Sequence, residues 1–341
     1  MWRRRRPRSG PRRIRFLCPT TIVSHGDLFQ GLDAGGNGIV YATGGDLDEV
    51  LALKMTGGEV RVIRRYALQW QAFPASQYPY VYQGNHEQKP RRFYPDSVTA
   101  GPEGRHLYVT GMLANSLARI DIRSGRTEYV NVGPYPFAVV LADGGRRLAV
   151  SDWAGPGVTI LSRRTLKVLG TVPTGPAVGP RTVAAGVHPT AMTRVPHGPD
   201  IWVADANDDA LVEVDTRALK VVRVLVDSPY PHAPPGSYPD ALAVANGDLF
   251  VANAGNDDVA VFDAATGAPR GLIPTGWYPS ALTIARRALY VVAAKGFGTG
   301  PNLRWQYIGN MMHGLLQRVS LRSLSRNLPA WTREALRDDG F

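Results

Sequence analysis

The sequence predicts an all-β chain folded as a single β-propeller of four-stranded blades. Three observations predict it. An aromatic residue or His followed by Pro recurs five times, as Tyr94-Pro95, Tyr135-Pro136, His188-Pro189, Tyr238-Pro239 and Tyr278-Pro279, at successive spacings of 41, 53, 50 and 40 residues. Short apolar runs separated by turn residues follow each landmark, and a period near 40 with several short strands per unit marks propeller blades. Apolar spacing of three to four is absent, while 37 Gly and 27 Pro punctuate the chain at intervals, which excludes a helical reading.

The chain opens on a basic segment, residues 1–20. Eight arginines and no acid stand in the first fifteen positions, and setting these eight aside lowers the net charge from +11 to +3. The body is therefore ordinary in charge, and a block of like charge stays solvated. This argues against nucleic acid as the partner. The apolar run 14–19 is short and broken by Arg15 and Pro19, so no signal peptide is recognisable. No stretch approaches the 18 or more apolar residues of a transmembrane helix. Cys18 is the single cysteine, so no internal disulfide forms.

The propeller is expected over 21–324. A first blade reads at about 33–66, from strands at 38–42, 50–53 and 60–63. An aromatic, Pro-containing insert runs from 69 to 93. The second repeat places strands at 97–99, 107–110, 117–121 and 127–130. The fifth places them at 241–245, 249–252, 259–263 and 270–273; its Asn246-Gly247 supplies the positive φ of a tight hairpin. The sixth unit diverges at Lys295, where 295–302 replaces the usual polar turn, and 315–320 completes it. Six units are visible. Strands at 21–24 and 28–30, with parts of the insert, supply a seventh, so seven blades are expected and six is the alternative. Residues 325–341 form a C-terminal extension with room for a short helix, Pro329 near its start.

The repeats resemble the YVTN-type (YncE-like) β-propeller family. Leu107-Tyr-Val-Thr110, Trp202-Val-Ala-Asp205 and Leu249-Phe-Val-Ala-Asn253, with the following 257–267, carry the resemblance over roughly 38–320. The end of the chain, with Gly276-Trp277-Tyr278-Pro279, Lys295-Gly296-Phe297-Gly298 and Pro301-Asn302, looks like the propeller half of exported propeller–phosphoesterase proteins. The resemblance implies an extracytoplasmic protein whose phosphoesterase domain is absent from this chain, and a separately encoded phosphoesterase is one partner it suggests.

Propeller geometry says which residues meet. The aromatic-Pro steps connect one blade to the next, so Tyr94, Tyr135, His188, Tyr238 and Tyr278 are expected around one mouth of the channel, the top face. The second turn of each blade reaches the same face and brings Asp152, Asp205, Asn253 and Lys295. Asp96 and Asp240 follow Pro at matching positions and are the first choice for a ligand or cation contact. Aromatic faces around a few polar groups make a ligand site; the alternative is that all of these are architecture. The seven His show no zinc spacing. There is no Gly-x-Ser-x-Gly elbow and no P-loop. No cofactor is expected, and a channel cation stays open. The sequence favours a non-catalytic binding or scaffold module whose partner is a protein or a cell-surface ligand. A propeller-type hydrolase or lactonase with a cation or polar ligand at the channel is the alternative.

Overall fold

The structure is a computed structural model that describes residues 30–36, 38–56, 59–73, 91–175, 186–196, 198–303, 305–307 and 311–340. Six antiparallel sheets follow one another along the chain. Blade one is β1 (Leu32–Ala34), β2 (Ile39–Thr43), β3 (Glu49–Thr56) and β4 (Glu59–Ala67). Blade two is β5 (Pro95–Ala100), β6 (His106–Gly111), β7 (Ser116–Asp121) and β8 (Thr127–Asn131). Blade three is β9 (Pro136–Ala142), β10 (Arg147–Asp152), β11 (Gly157–Ser162) and β12 (Val168–Pro173). Blade four is β13 (Pro189–Arg194), β14 (Asp200–Asp205), β15 (Ala210–Asp215) and β16 (Lys220–Val226). Blade five is β17 (Pro239–Ala245), β18 (Asp248–Asn253), β19 (Asp258–Asp263) and β20 (Pro269–Pro274). Blade six has β21 (Trp277–Ala285), β22 (Ala288–Gly296) and β23 (Leu315–Ser320), and the helix α1 (Leu324–Asp338) follows it.

The described residues thus form six blades, not the expected seven. Strand 21–24 and most of 28–30 lie outside the described residues, as does 74–90 of the insert, while its described ends, 69–73 and 91–93, form no strand. Pro329 falls at the sixth position of α1 rather than at its start, and forfeits one backbone hydrogen bond there. The Asn246-Gly247 turn has φ of 55° and 83°, as a two-residue hairpin requires.

The first strands of successive blades lie against one another, from β1 to β21, so they line the axis. Apolar residues of the middle strands fill the seams. Each of five hydrophobic clusters bridges one pair of neighbouring blades. Tyr41 and Val50 meet Phe93 and Val109 between blades one and two, and Phe250 and Val261 meet Leu289 and Val291 between blades five and six. The α1 residues Leu324 and Leu328 close the outer end of that last cluster. A blade alone would leave such a face in water, so stability resides in the seams.

Polar bonds repeat across the same seams. The five aromatic or His landmarks all have left-handed backbone, with φ from 50° to 61°. The backbone N–H of four of them donates to an Asp or Asn in the preceding blade: Tyr94 to Asp48 at 2.8 Å, Tyr135 to Asn115 at 3.1 Å, Tyr238 to Asp209 at 2.8 Å and Tyr278 to Asp257 at 2.8 Å. Those acceptors are also left-handed, at φ of 46° to 55°. Such backbone is uncommon for residues other than Gly and persists where its surroundings fix it.

A second repeat uses hydroxyls. Thr110 Oγ1 accepts the Ser97 N–H at 2.9 Å inside the bulge of β5 and donates to the Phe137 carbonyl of the next blade at 3.3 Å. Ser151 does the same between Ala138 and Thr190, at 3.0 and 2.7 Å, and Thr43 between Gly31 and Asp96, at 2.9 Å each. A third repeat uses arginines. Arg64, Arg119 and Arg223 each donate to a pair of backbone carbonyls in the following blade's turn.

Thr110→Val keeps the shape and removes both bonds. A buried backbone N–H left unpaired costs about 1–3 kcal/mol, so urea denaturation should show a loss of that size, against less than about 0.5 kcal/mol for the exposed Thr165→Val. Equal effects of the two changes would mean that the hydroxyl bridge contributes nothing.

Candidate functional site at the top face

The residues that the sequence brings to the top face separate into three groups. Tyr94 and Asp96 belong to blade two. Asp96 is 0% exposed, and both of its carboxylate oxygens are buried without a partner. Its backbone carbonyl accepts from Thr43 Oγ1 at 2.9 Å. Burial raises its pKa to about 8, because a charged carboxylate loses its hydration there.

The second group lies between blades three and four. The His188 ring stacks on Trp153, with centroids 4.0 Å apart and 25° between planes, and Tyr135 approaches the other ring contact of Trp153 at 6.3 Å. His188 Nδ1 is buried and has no partner. Desolvation lowers the His188 pKa, which favours the neutral ring. Sequence reading missed Trp153, because nothing in its local pattern distinguishes it from other turn residues. Blade three is also where the Asp/Asn handover breaks: the place of Asn115, Asp209 and Asp257 is taken by Pro156, whose carbonyl accepts from Thr174 N at 3.0 Å.

The third group spans blades five and six. Lys295 Nζ sits 4.1 Å above the Tyr278 ring. Asp240 and Tyr238 act electrostatically on Tyr278. Asp240 is half-buried, and desolvation raises its pKa to about 6. Beyond Lys295 the chain exposes Phe297, Leu303, Trp305 and Tyr307.

Asp152, Asp205 and Asn253 lie at equivalent strand ends but are drawn into the seams, each at most 1% exposed. Asp152 Oδ2 accepts from Thr159 Oγ1 at 2.6 Å, and its pKa is raised to about 8 by burial. Asp205 Oδ1 accepts from Thr174 Oγ1 of blade three at 3.0 Å, with a pKa raised to about 7 by burial. Asn253 donates to Asp227 and Asp258. Among the described residues, no three His, Cys, Asp or Glu side chains are grouped to hold a metal ion. No helix among them is long and apolar enough to cross a membrane.

The opposite mouth of the channel holds a cavity of ≈ 810 Å³, lined by the far ends of the first strands, including Thr99, Val140 and Thr193. Its carboxylates are occupied. Asp33 Oδ2 accepts from Ala100 N at 2.7 Å and Thr99 Oγ1 at 3.2 Å. Glu103 pairs with Arg163 at 2.6 Å and His106 at 3.0 Å. In the neighbouring cavity Asp143 is held by Arg146 and Arg217, which keep its carboxyl well below the usual range. The bottom acids thus serve the fold, whereas Asp96 at the top has nothing bonded to its carboxyl.

No protein-family model matches this chain, and no curated protein matches it. The resemblance to YVTN-type propellers is therefore not confirmed by sequence comparison. Solved structures do match in fold. One is virginiamycin B lyase from Staphylococcus aureus, in a catalytically inactive histidine-to-alanine variant with quinupristin: 13% identity, a TM-score of 0.59, and coverage of 79% of this chain and 78% of that one. Another is a streptogramin B lyase, with 12% identity, a TM-score of 0.51, and coverage of 85% and 93%. At such identities the likeness establishes the propeller fold alone.

The pH dependence of stability follows from Asp96. Its folded pKa of about 8 lies above the ordinary value of 3.8, so the folded chain holds a proton that the unfolded chain has released. The proton's contribution is full below the unfolded value and is lost as pH rises through about 8. Asp96→Asn has no proton to lose. Its melting temperature should therefore fall less than that of the unsubstituted protein between pH 5 and pH 9, and parallel curves would contradict a buried, protonated Asp96.

Proposed function

We propose that this chain is a propeller enzyme of the hydrolase or lyase kind, acting on a polar ester- or amide-containing ligand at the top face. The observation that carries the proposal is geometric: at matching blade crossovers stand a histidine ring stacked on Trp153 with its Nδ1 unpartnered and a Lys295 ammonium over the Tyr278 ring, and burial lowers the histidine pKa and raises those of Asp96 and Asp240. Such shifts concentrate at functional sites. His188, neutral and fixed by its stack on Trp153, is suited to accept a proton from the substrate or from water. Asp240, partly exposed and with its pKa raised to about 6, is suited to give one to a leaving group below neutral pH, and Asp96, buried beneath the surface and protonated, adds no negative charge to the face. Lys295 over Tyr278 offers positive charge and an aromatic face for an anionic or planar part of the ligand. The fold likeness to two lyases supports an enzyme over the scaffold that the sequence alone favours. It supplies cyclic, streptogramin-type compounds as the first substrates to try.

Incubation with quinupristin and with simple lactones, followed by liquid chromatography and mass spectrometry, tests the proposal. Elimination gives a product of unchanged mass, and hydrolysis adds one water. His188→Ala should lower the rate by about 10²–10⁴, the usual share of a general base, while leaving the melting temperature near that of the parent. Binding without turnover across the panel would return the protein to the scaffold reading. Turnover that survives His188→Ala would remove His188 from the chemistry.

A further inference from the structure

A second cluster lies in the seam between blades four and five, outside the top-face groups. Asp227 immediately follows β16, Asn253 ends β18 and Asp258 begins β19. Asn253 Nδ2 stands 3.3 Å from Asp227 Oδ1 and 3.0 Å from Asp258 Oδ1. All three side chains are at most 1% exposed. Their remaining oxygens, Asp227 Oδ2, Asp258 Oδ2 and Asn253 Oδ1, are buried with no partner. No Lys, Arg or His among the described residues forms an ion pair with either carboxylate. The surroundings add negative charge: Asp209 acts on Asp227, and Asp257 and Asp339 act on Asp258, with Lys295 facing Asp257 alone.

We infer that this seam is a binding site for a hard divalent cation of the calcium class, held by Asp227, Asp258 and the amide oxygen of Asn253. Two buried carboxylates without a basic partner cost several kcal/mol unless a proton or a cation removes their charge, and a cation displaces the proton as pH rises. The donors are all oxygen, which suits calcium rather than zinc. The spacing fits as well. Oxygens that each stand about 2.4 Å from a shared calcium ion lie roughly 3–3.4 Å from one another. The end of the Asn253 side chain stands at such a distance from both carboxylates. A half-turn of its amide exchanges Nδ2 for Oδ1 at that point, and water completes the coordination. Two carboxylates then balance one divalent charge, and the ion ties blade four to blade five.

The molecule contains its own control. In the seam between blades three and four, Thr174 stands where Asp227 does, Asp205 where Asn253 does and Ala210 where Asp258 does. That seam closes on one hydroxyl–carboxylate bond of 3.0 Å, with no acid at the place of Asp258.

The test uses the full chain, stripped with a chelator and held at pH 8. Calcium added alone should raise the melting temperature saturably, and terbium luminescence should appear on binding and fall when calcium displaces it. The double variant Asp227→Thr, Asp258→Ala reproduces the residues of the other seam at those two positions. It should melt cooperatively, show no calcium-dependent shift and bind no terbium. A melting temperature of the unsubstituted protein that ignores calcium would overturn the inference, as would an equal calcium shift in the double variant. If the variant fails to fold, the titration of the unsubstituted protein decides alone.

Discussion

Four of the five described crossovers hand the chain from one blade to the next through the same hydrogen bond. A left-handed Asp or Asn in the turn after the second strand accepts the N–H of the aromatic residue that opens the following blade. The bond matters because both partners occupy backbone that side-chain-bearing residues avoid. The aromatic carbonyl is used as well: it accepts from the first turn residue of its own blade, as Met112 N to Tyr94 O at 3.0 Å and Ala254 N to Tyr238 O at 3.1 Å. The crossover is thereby fixed at both ends, and the first strand starts at a defined height on the axis. The register of the bulges, the hydroxyl bridges and the apolar seams follows from that height.

The same constraint explains where function is free to reside. Four handovers consume their Asp or Asn in architecture. In the third blade Pro156 takes that place, and there His188 stacks on Trp153 instead of answering an acidic side chain. The position after Pro lends its backbone carbonyl to the hydroxyl bridges in blades two to four, but its side chain varies, being Asp96, Phe137, Thr190, Asp240 and Ser280 in different blades. Acids accumulate there and in the seams without basic partners. At the bottom of the ring Asp33, Glu103 and Asp143 are instead paired with arginines or backbone.

Much of this was legible in the sequence, and the limits have physical causes. The aromatic-Pro landmarks revealed the blades because each crossover needs the same local backbone. Strand limits in blade five agreed with the structure to within a few residues, since Asn246-Gly247 and the alternating apolar runs are local signals. The blade number was misjudged because apolar fragments before the first blade looked like strands, although only six sheets form among the described residues. Asp152, Asp205 and Asn253 read as turn residues at a ligand face; the turn acceptors are instead Asp48, Asn115, Asp209 and Asp257. A spacing of four residues separates the two sets, and nothing in the sequence says which one the next blade will meet. The Trp153–His188 stack and the Asp227–Asn253–Asp258 seam join different blades, so no local pattern announces them.

The central claim is that burial holds the carboxyl of Asp96 protonated near neutral pH. Carbon NMR of protein labelled at the aspartate carboxyl and followed from pH 4 to pH 10 measures it most directly, with Asp96→Asn giving the assignment. The account predicts an Asp96 titration near pH 8. A titration near the ordinary value of 3.8 would show a hydrated or paired carboxylate, and the top face would lose one of the features on which the functional reading draws.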